Sequence, residues 1–373
     1  MTLAAAYRVG KTPVLLSDFL TSGQVRNGKH AEIPTRVDLT EPRPLDWQIE
    51  VKGMVRKTVK ICDNLAVAIA GSILGAMVVT NKLLEQFADQ CPDRIEFAEY
   101  LAGIDDAKPI ATEVTLVGWL VEDEEPHSFR WTSTSPEELD WGEDYLTGSG
   151  TALFQQLAWR KDQRDWQLTD SFDHARHYVW QQVANMLVNE ITNGATVQNL
   201  FGAGYDITIW DGKRFRSGND LTFLFISLDW LQSKVKNIND LSPTLIRYAE
   251  IEDCVVVRSL LGPQIAAQAD KHERVAIIAP LSVNATTHRF AGSWNWEEID
   301  HFTDPVFIVV IGVGPNGTPE HWSGSARGND AKAFMLKRNE VNGKVQFWLP
   351  QVVMDGVRAA AEQQFTRTLP QIL

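Results

Sequence analysis

The chain has 373 residues, 44% apolar and 22% charged, the balance of a packed globular protein and not of a disordered one. Asp and Glu total 48 against 35 Lys and Arg, a formal charge of −13 that excludes a basic nucleic-acid-binding surface as the main function. At roughly 150 residues per domain the length allows one large domain or two ordinary ones.

The N-terminus, from Met1 to Pro13, has no charged region ahead of a long apolar stretch, so no export signal is expected. Leu3 to Val9 and Pro13 to Ser17 are apolar, with a turn at Gly10-Lys11, and predict a β-hairpin. Residues 22–50 are polar, carry Pro34, Pro42 and Pro44, and have no period; an irregular insertion is expected at about 24–50. Val55 to Cys62, a turn at Asp63-Asn64 and Leu65 to Ala70 predict a second hairpin, its last strand buried. The apolar run Leu65 to Val79 is interrupted by Gly71-Ser72 and is too short to span a bilayer, so no membrane association is expected. Ser72 caps a helix running to about Ala88, with Ile73, Met77, Leu84 and Phe87 on one face, and a second helix covers about Asp93 to Ala102.

A third hairpin is expected from Val114 to Thr132 around the acidic turn Glu122 to Glu125. Helices then follow from Leu153 to Trp159 and from Asp173 to Ile191, and a fourth hairpin turns at Asp211-Gly212. Strands and helices thus arrive in pairs rather than in strict alternation. That order excludes a doubly wound sheet and predicts an α+β fold, a four-layer αββα sandwich with a helix pair on each outer face. Beyond Ser217 strands are expected at Leu221 to Leu228, Val255 to Leu261, Val275 to Ile278 and Phe307 to Ile311, with a terminal helix at Val353 to Phe365. Residues 2–216 are read as one domain and 217–373 as a C-terminal α/β extension.

Three cysteines, Cys62, Cys91 and Cys254, are too few for a disulfide framework and fit no zinc spacing. Cys62 is read as a small apolar residue, and the compartment as reducing and cytoplasmic. His174 and His177 lie three apart on a helix, but no nearby ligand completes a metal site. Gly312 to Gly317 matches G-x-G-x-x-G, yet Pro315 occupies the turn and a strand follows, so a hairpin turn is expected and no cofactor. Asn284 to Thr286 matches a glycosylation sequon, which means nothing without export.

The chemistry concentrates at the N-terminus. Removal of Met1 would leave Thr2 with a hydroxyl and a free α-amine on one residue, and an amine titrating near 7.7–8.0 can take the hydroxyl's proton. Asp18 ends the second strand of the hairpin that Thr2 begins, so the turn returns it beside Thr2. Lys57 precedes the next buried strand. A lysine near the hydroxyl lowers its pKa, and Asp18 would hold that lysine.

With Thr2, Asp18, Lys57, the junction Ala70-Gly71-Ser72, the run Thr147 to Thr151 and the stretch Glu190 to Gly194, the chain resembles the proteasome β-subunit family of N-terminal nucleophile hydrolases. It is most similar to the bacterial branch that works with an unfolding ATPase, over about residues 2–216. The resemblance implies a threonine hydrolase acting on peptide or other amide bonds. In it Thr2 is the nucleophile, Lys57 and Asp18 tune its charge, and Gly71 and Ser72 supply the oxyanion contacts. Ser149 with Glu190 and Asn193 would orient the amine. Glu190 and Asn193 stand where the family has Asp and Ser. Lys52, Arg56 and Lys60 rival Lys57 across the insertion. The resemblance also implies a homo-oligomeric ring and an ATPase partner, with a peptide or protein substrate. The alternative is a non-catalytic scaffold of the same family, in which the C-terminal third carries the function.

Overall fold

The computed structural model describes residues 2–24, 33–35, 49–104, 113–157, 171–193, 195–198, 201–227, 244–251, 253–260, 273–281, 306–313, 319–326, 335–338, 345–348 and 351–368. The fold is mixed α/β and mostly sheet. In chain order come β1 (Ala4–Val9), β2 (Thr12–Asp18), β3 (Leu20–Gln24), β4 (Ile49–Met54), β5 (Thr58–Cys62) and β6 (Leu65–Gly71), followed by α1 (Ile73–Phe87) and α2 (Arg94–Ala102). Next are β7 (Val114–Glu122), β8 (Glu125–Thr132), β9 (Leu139–Gly142) and β10 (Tyr145–Thr147), and then α3 (Thr151–Leu157), α4 (Phe172–Asn193) and α5 (Ala195–Gln198). They are followed by β11 (Tyr205–Trp210), β12 (Phe215–Ser217), β13 (Leu221–Ser227), β14 (Thr244–Ile251), β15 (Cys254–Leu260) and β16 (Glu273–Ile278). The chain closes with β17 (Val306–Val313), β18 (Pro319–Ala326), β19 (Met335–Arg338), β20 (Val345–Trp348) and α6 (Gln351–Thr368).

Two five-stranded sheets, in orders β10-β1-β2-β11-β12 and β5-β6-β7-β8-β9, are built from hairpins whose turns the local residues specify. Gly10 takes φ 60° between β1 and β2, and Asp123 and Glu124 take φ 50° and 66° between β7 and β8. Both faces of the central strands β1, β2, β6, β7 and β11 are buried, and the side chains sort by a period of two. Ala4 and Ala6 of β1, Leu15 of β2, Ala66 and Ala68 of β6 and Trp119 of β7 form one apolar layer between the two sheets. The alternate residues face helices: Leu3, Ala5 and Tyr7 pack with Val179, Val183 and Leu187 of α4. Leu65, Val67 and Ile69 pack with Val79 and Leu83 of α1 and Phe97 of α2. Small alanines let the sheets approach, and Trp119 fills the remaining space with its Nε1–H donating to Val14 O at 3.0 Å.

Ser72 caps α1 by accepting from Gly75 N at 3.3 Å, and Asp93 caps α2 by accepting from Glu96 N at 2.8 Å. The buried face of α1 is Ala76, Val79, Thr80, Leu83 and Phe87; Ile73, Met77 and Leu84, expected on that face, are only partly buried. The helix is rotated because Gly75 and Ala76 allow its first turn to press against Val114 of β7; a Cβ on Gly75 would lie 2.6 Å from Val114 Cγ2.

The described strands beyond residue 216 share a core with the first 216 residues. A six-stranded sheet, β16-β15-β14-β13-β17-β18, contributes Phe223, Tyr248, Val257 and Phe307 to the same apolar cluster as β1, β2 and α4. Trp180 of α4 meets Phe307 at 6.3 Å, so α4 packs both on the first sheet and on this one. β3 and β4 pair at the two ends of the expected insertion, and Ile33 to Thr35, a turn between them without helix or strand, is fully buried. Ser259 Oγ donates to Pro34 O, and Arg274 Nη1 donates to Ile33 O at 3.0 Å, so the C-terminal sheet holds this segment.

Cys62 and Cys91 form a disulfide with Cα atoms 5.8 Å apart, which corrects the reading of Cys62 as an unpaired apolar residue. The pairing arises because α1 packs back against β5, carrying Cys91 to the strand's end. Among the described residues no helix is long and apolar enough to cross a membrane. Residues 314–317, the sequon at 284–286 and Trp159 lie outside the described residues.

Candidate active site

Thr2 enters the first sheet at the start of β1, and Asp18 leaves β2 directly beside it. Thr2 Oγ1 donates to Asp18 Oδ1 at 2.6 Å, and Leu3 N donates to the same oxygen at 2.8 Å. Lys57, in the short link before β5, closes the group from the second sheet. Its Nζ donates to Thr2 Oγ1 at 2.5 Å, Asp18 Oδ1 at 2.7 Å and Leu20 O at 2.6 Å. Three acceptors engage all three ammonium donors. Thr2, Asp18 and Lys57 are all buried. Burial pushes the Lys57 ammonium below the usual lysine range, and the Asp18 charge and hydrogen bond oppose that shift.

The rival basic residues go elsewhere. Arg56 is buried and clamped, its Nε 3.0 Å from Asp206 Oδ2 and its Nη1 2.8 Å from Glu250 Oε1. Lys60 is exposed and pairs with Asp63 at 2.5 Å, and Lys52 is exposed.

Two glycines bring backbone close to the site. Gly148, at φ +94°, lies so near Thr2 that a Cβ would fall 2.0 Å from Thr2 O, and Gly150 N donates to that oxygen at 3.1 Å. Ser149, between them, is exposed, so it is the backbone of this turn that holds the Thr2 carbonyl. Gly71, at φ +101°, ends β6; a Cβ there would meet Glu113 O at 2.1 Å. Ser72 does not share the oxyanion role expected of it. Its N–H donates to Glu113 O at 3.1 Å and its hydroxyl is the cap of α1.

Glu190 differs from its expected role. It is fully buried near the end of α4, and its carboxylate accepts from Thr35 Oγ1, from Thr196 Oγ1 at 2.8 Å and from Ala203 N at 3.1 Å. The turn Gly202-Ala203-Gly204 has three consecutive positive φ values, 115°, 61° and 97°. Its Gly202 N donates to Asp18 Oδ2 at 3.0 Å. Glu190 therefore supports Asp18 through this turn, and its hydrogen bonds do not go to Thr2. Burial pushes its carboxyl up to about 7; the Thr35, Thr196 and Ala203 hydrogen bonds pull it down, and the Asp18 charge adds to the rise. The side chain of Asn193 lies outside the described residues. The sequence reading missed Thr35, Thr196 and the turn at 202–204, although Gly-x-Gly after a helix is a legible signal for a left-handed turn.

A cleft opens at the group, with Thr2, Lys57, Thr21, Ser22 and Gly71 among its lining residues. The arrangement is a hydroxyl held between an ammonium and a carboxylate at the mouth of a cleft of mixed polar and apolar lining, which is suited to nucleophilic attack on an acyl group. Among the described residues no cluster of His, Cys, Asp or Glu has the makings of a metal site, and His177 instead packs its ring 5.4 Å from Phe307. No protein-family model matches the chain, and no curated protein matches it.

Proposed function

We propose that the protein is a threonine hydrolase of the N-terminal nucleophile class, acting on peptide or other amide bonds after Met1 is removed. One observation carries this reading: Lys57 Nζ and Asp18 Oδ1 lie 2.5 Å and 2.6 Å from the same hydroxyl, Thr2 Oγ1. Further support comes from the packing order, in which helices flank two sheets stacked on an alanine-rich interface. That order fits the four-layer αββα arrangement of the proteasome β-subunit family.

In the reaction Thr2 Oγ attacks the carbonyl carbon of the substrate, and the hydroxyl proton passes to the Thr2 α-amine. Lys57 stabilises the developing negative charge on Oγ, and Asp18 keeps the ammonium in place. The Gly71 N–H receives the carbonyl oxygen of the tetrahedral intermediate. The C–N bond breaks as the α-ammonium returns its proton to the leaving amine, which leaves an ester on Thr2. Water then attacks the ester, releases the carboxylic acid and restores the hydroxyl. Glu190 and the 202–204 turn hold Asp18 from behind.

The proposal includes a cytoplasmic location and assembly into a homo-oligomeric ring, with an unfolding ATPase as partner. Leu74 on α1 and Ile95 on α2, 70% and 72% exposed, are apolar surface that a neighbouring subunit would cover. The test is intact mass followed by an electrophile directed at N-terminal threonine. Loss of one methionine residue with labelling and turnover of a peptide library is expected. A processed chain that is neither labelled nor active is a scaffold.

A further inference from the structure

We infer that Leu281, delivered by the C-terminal region, is a specificity-determining wall of the cleft beside Thr2, and that the cleft takes an uncharged aliphatic side chain of the substrate. This rests on the hydrolase reading and adds to it a residue outside the part of the chain on which that reading was built.

Leu281 lines the cleft together with Val55, Ile69, Ala70, Ile73 and Ala76, and it is only 3% exposed. Its position is set by backbone pairing. Arg56 N donates to Ala279 O at 2.9 Å, Leu281 N donates to Arg56 O at 3.1 Å, and Arg56 and Pro280 form a parallel bridge. Arg56 is itself fixed by Asp206, Glu250 and the carbonyl of Asp253 at 3.1 Å. The next residue along the chain is Lys57. One short stretch of backbone therefore presents the ammonium to Thr2 on one side and carries Leu281 on the other. A shift in the C-terminal segment moves the wall and the catalytic lysine together.

Thr2, Thr21 and Ser22 line the cleft with hydroxyls, Lys57 is its one charged lining residue, and the remaining lining side chains are apolar. The Lys57 ammonium has its three donors engaged by Thr2, Asp18 and Leu20, so it offers none to a carboxylate. A charged side chain entering this cleft loses its hydration without compensation, whereas an aliphatic one gains burial.

The test uses the full chain carrying Thr2→Ala, which binds without turning over. Calorimetry measures acetylated tripeptide amides that differ only in a central Ala, Leu, Phe, Glu or Lys. The Leu peptide is expected to bind about tenfold or more tighter than the Glu and Lys peptides, the scale that pocket complementarity reaches. Adding Leu281→Ala should shift the preference toward Phe. Leu281→Phe should weaken the Leu peptide about tenfold while sparing the Ala peptide. Leu281→Met, which conserves volume, should keep both the fold and the ranking, so a melting curve separates misfolding from altered selectivity. The inference is overturned if no peptide binds, if charged peptides bind as well as aliphatic ones, or if the ranking ignores residue 281. If the ranking follows residue 281 but the processed wild-type chain cleaves none of the bound peptides, the hydrolase reading fails and the pocket assignment stands.

Discussion

Asp18 and Glu190 are tied to successive peptide units of one turn: Gly202 N donates to Asp18 Oδ2 at 3.0 Å, and Ala203 N donates to Glu190 Oε1 at 3.1 Å. Two buried carboxylates thus share a strained backbone, and a change at either is transmitted to the other without direct contact.

This linkage has a pH signature. The Glu190 carboxyl titrates at about 7 in the folded chain against an ordinary value of 4.5. Between those values the folded state holds a proton that the unfolded state has released. The stability associated with that proton is fully present below about 4.5 and is lost as pH rises through about 7. Melting temperatures of the wild type should therefore fall from pH 5 to pH 8 relative to Glu190→Gln, which cannot titrate. Parallel curves for the two proteins would remove Glu190 from the account.

Thr2→Ala should abolish amide cleavage, because it deletes the hydroxyl that bonds both Lys57 and Asp18. The hydroxyl makes two buried hydrogen bonds, so a stability loss of about 1–3 kcal/mol is expected, measured by denaturant titration. Thr2→Ser keeps the hydroxyl beside the amine and should keep part of the turnover. Retained cleavage in Thr2→Ala would point to a different nucleophile.

Asp18→Ala strands the Lys57 ammonium in a buried site and should cost about 3–5 kcal/mol along with all activity. The double variant Asp18→Ala with Lys57→Met removes both charges and should recover much of that stability without recovering turnover. Equal destabilisation in the single and double variants would show that the pair is not coupled. Burial of both partners sets this cost.

Gly148→Ala tests the turn that holds the Thr2 carbonyl. A Cβ at φ +94° and 2.0 Å from Thr2 O forces the turn away. Reduced stability and lower kcat are expected together. A Gly148→Ala protein with unchanged kcat would detach the 148–150 turn from catalysis.

The Cys62–Cys91 disulfide tests the compartment. In a reducing cytoplasm both thiols should be alkylated when cells are quenched rapidly, and the bond should form only after purification in air. Recovery of the intact disulfide from quenched cells would overturn the cytoplasmic reading.

The local elements were legible in the sequence because their causes are local. Gly10-Lys11, Asp63-Asn64 and Asp211-Gly212 turn the chain wherever they stand, and Ser72 and Asp93 cap helices with their own side chains. Short strands carry no such signal. β9 and β10 exist because a neighbouring strand offers them hydrogen bonds.

By itself the sequence determined the hairpins, the capped helices, and the return of Asp18 to Thr2, since a tight turn between two strands leaves one register for the ends. Only the tertiary structure decided that Lys57, and not Arg56, faces the hydroxyl. Adjacent residues at a strand entrance point to opposite sides, and Asp206 and Glu250 on distant strands draw Arg56 away. The same holds for Glu190, whose partners Thr35, Thr196 and Ala203 come from three separate segments, and for Leu281, which reaches the cleft by pairing with Arg56 across more than half the chain. Hydrogen bonding and burial between residues far apart in sequence depend on packing, and the order of residues does not reveal which of several basic or acidic candidates the fold will bring together.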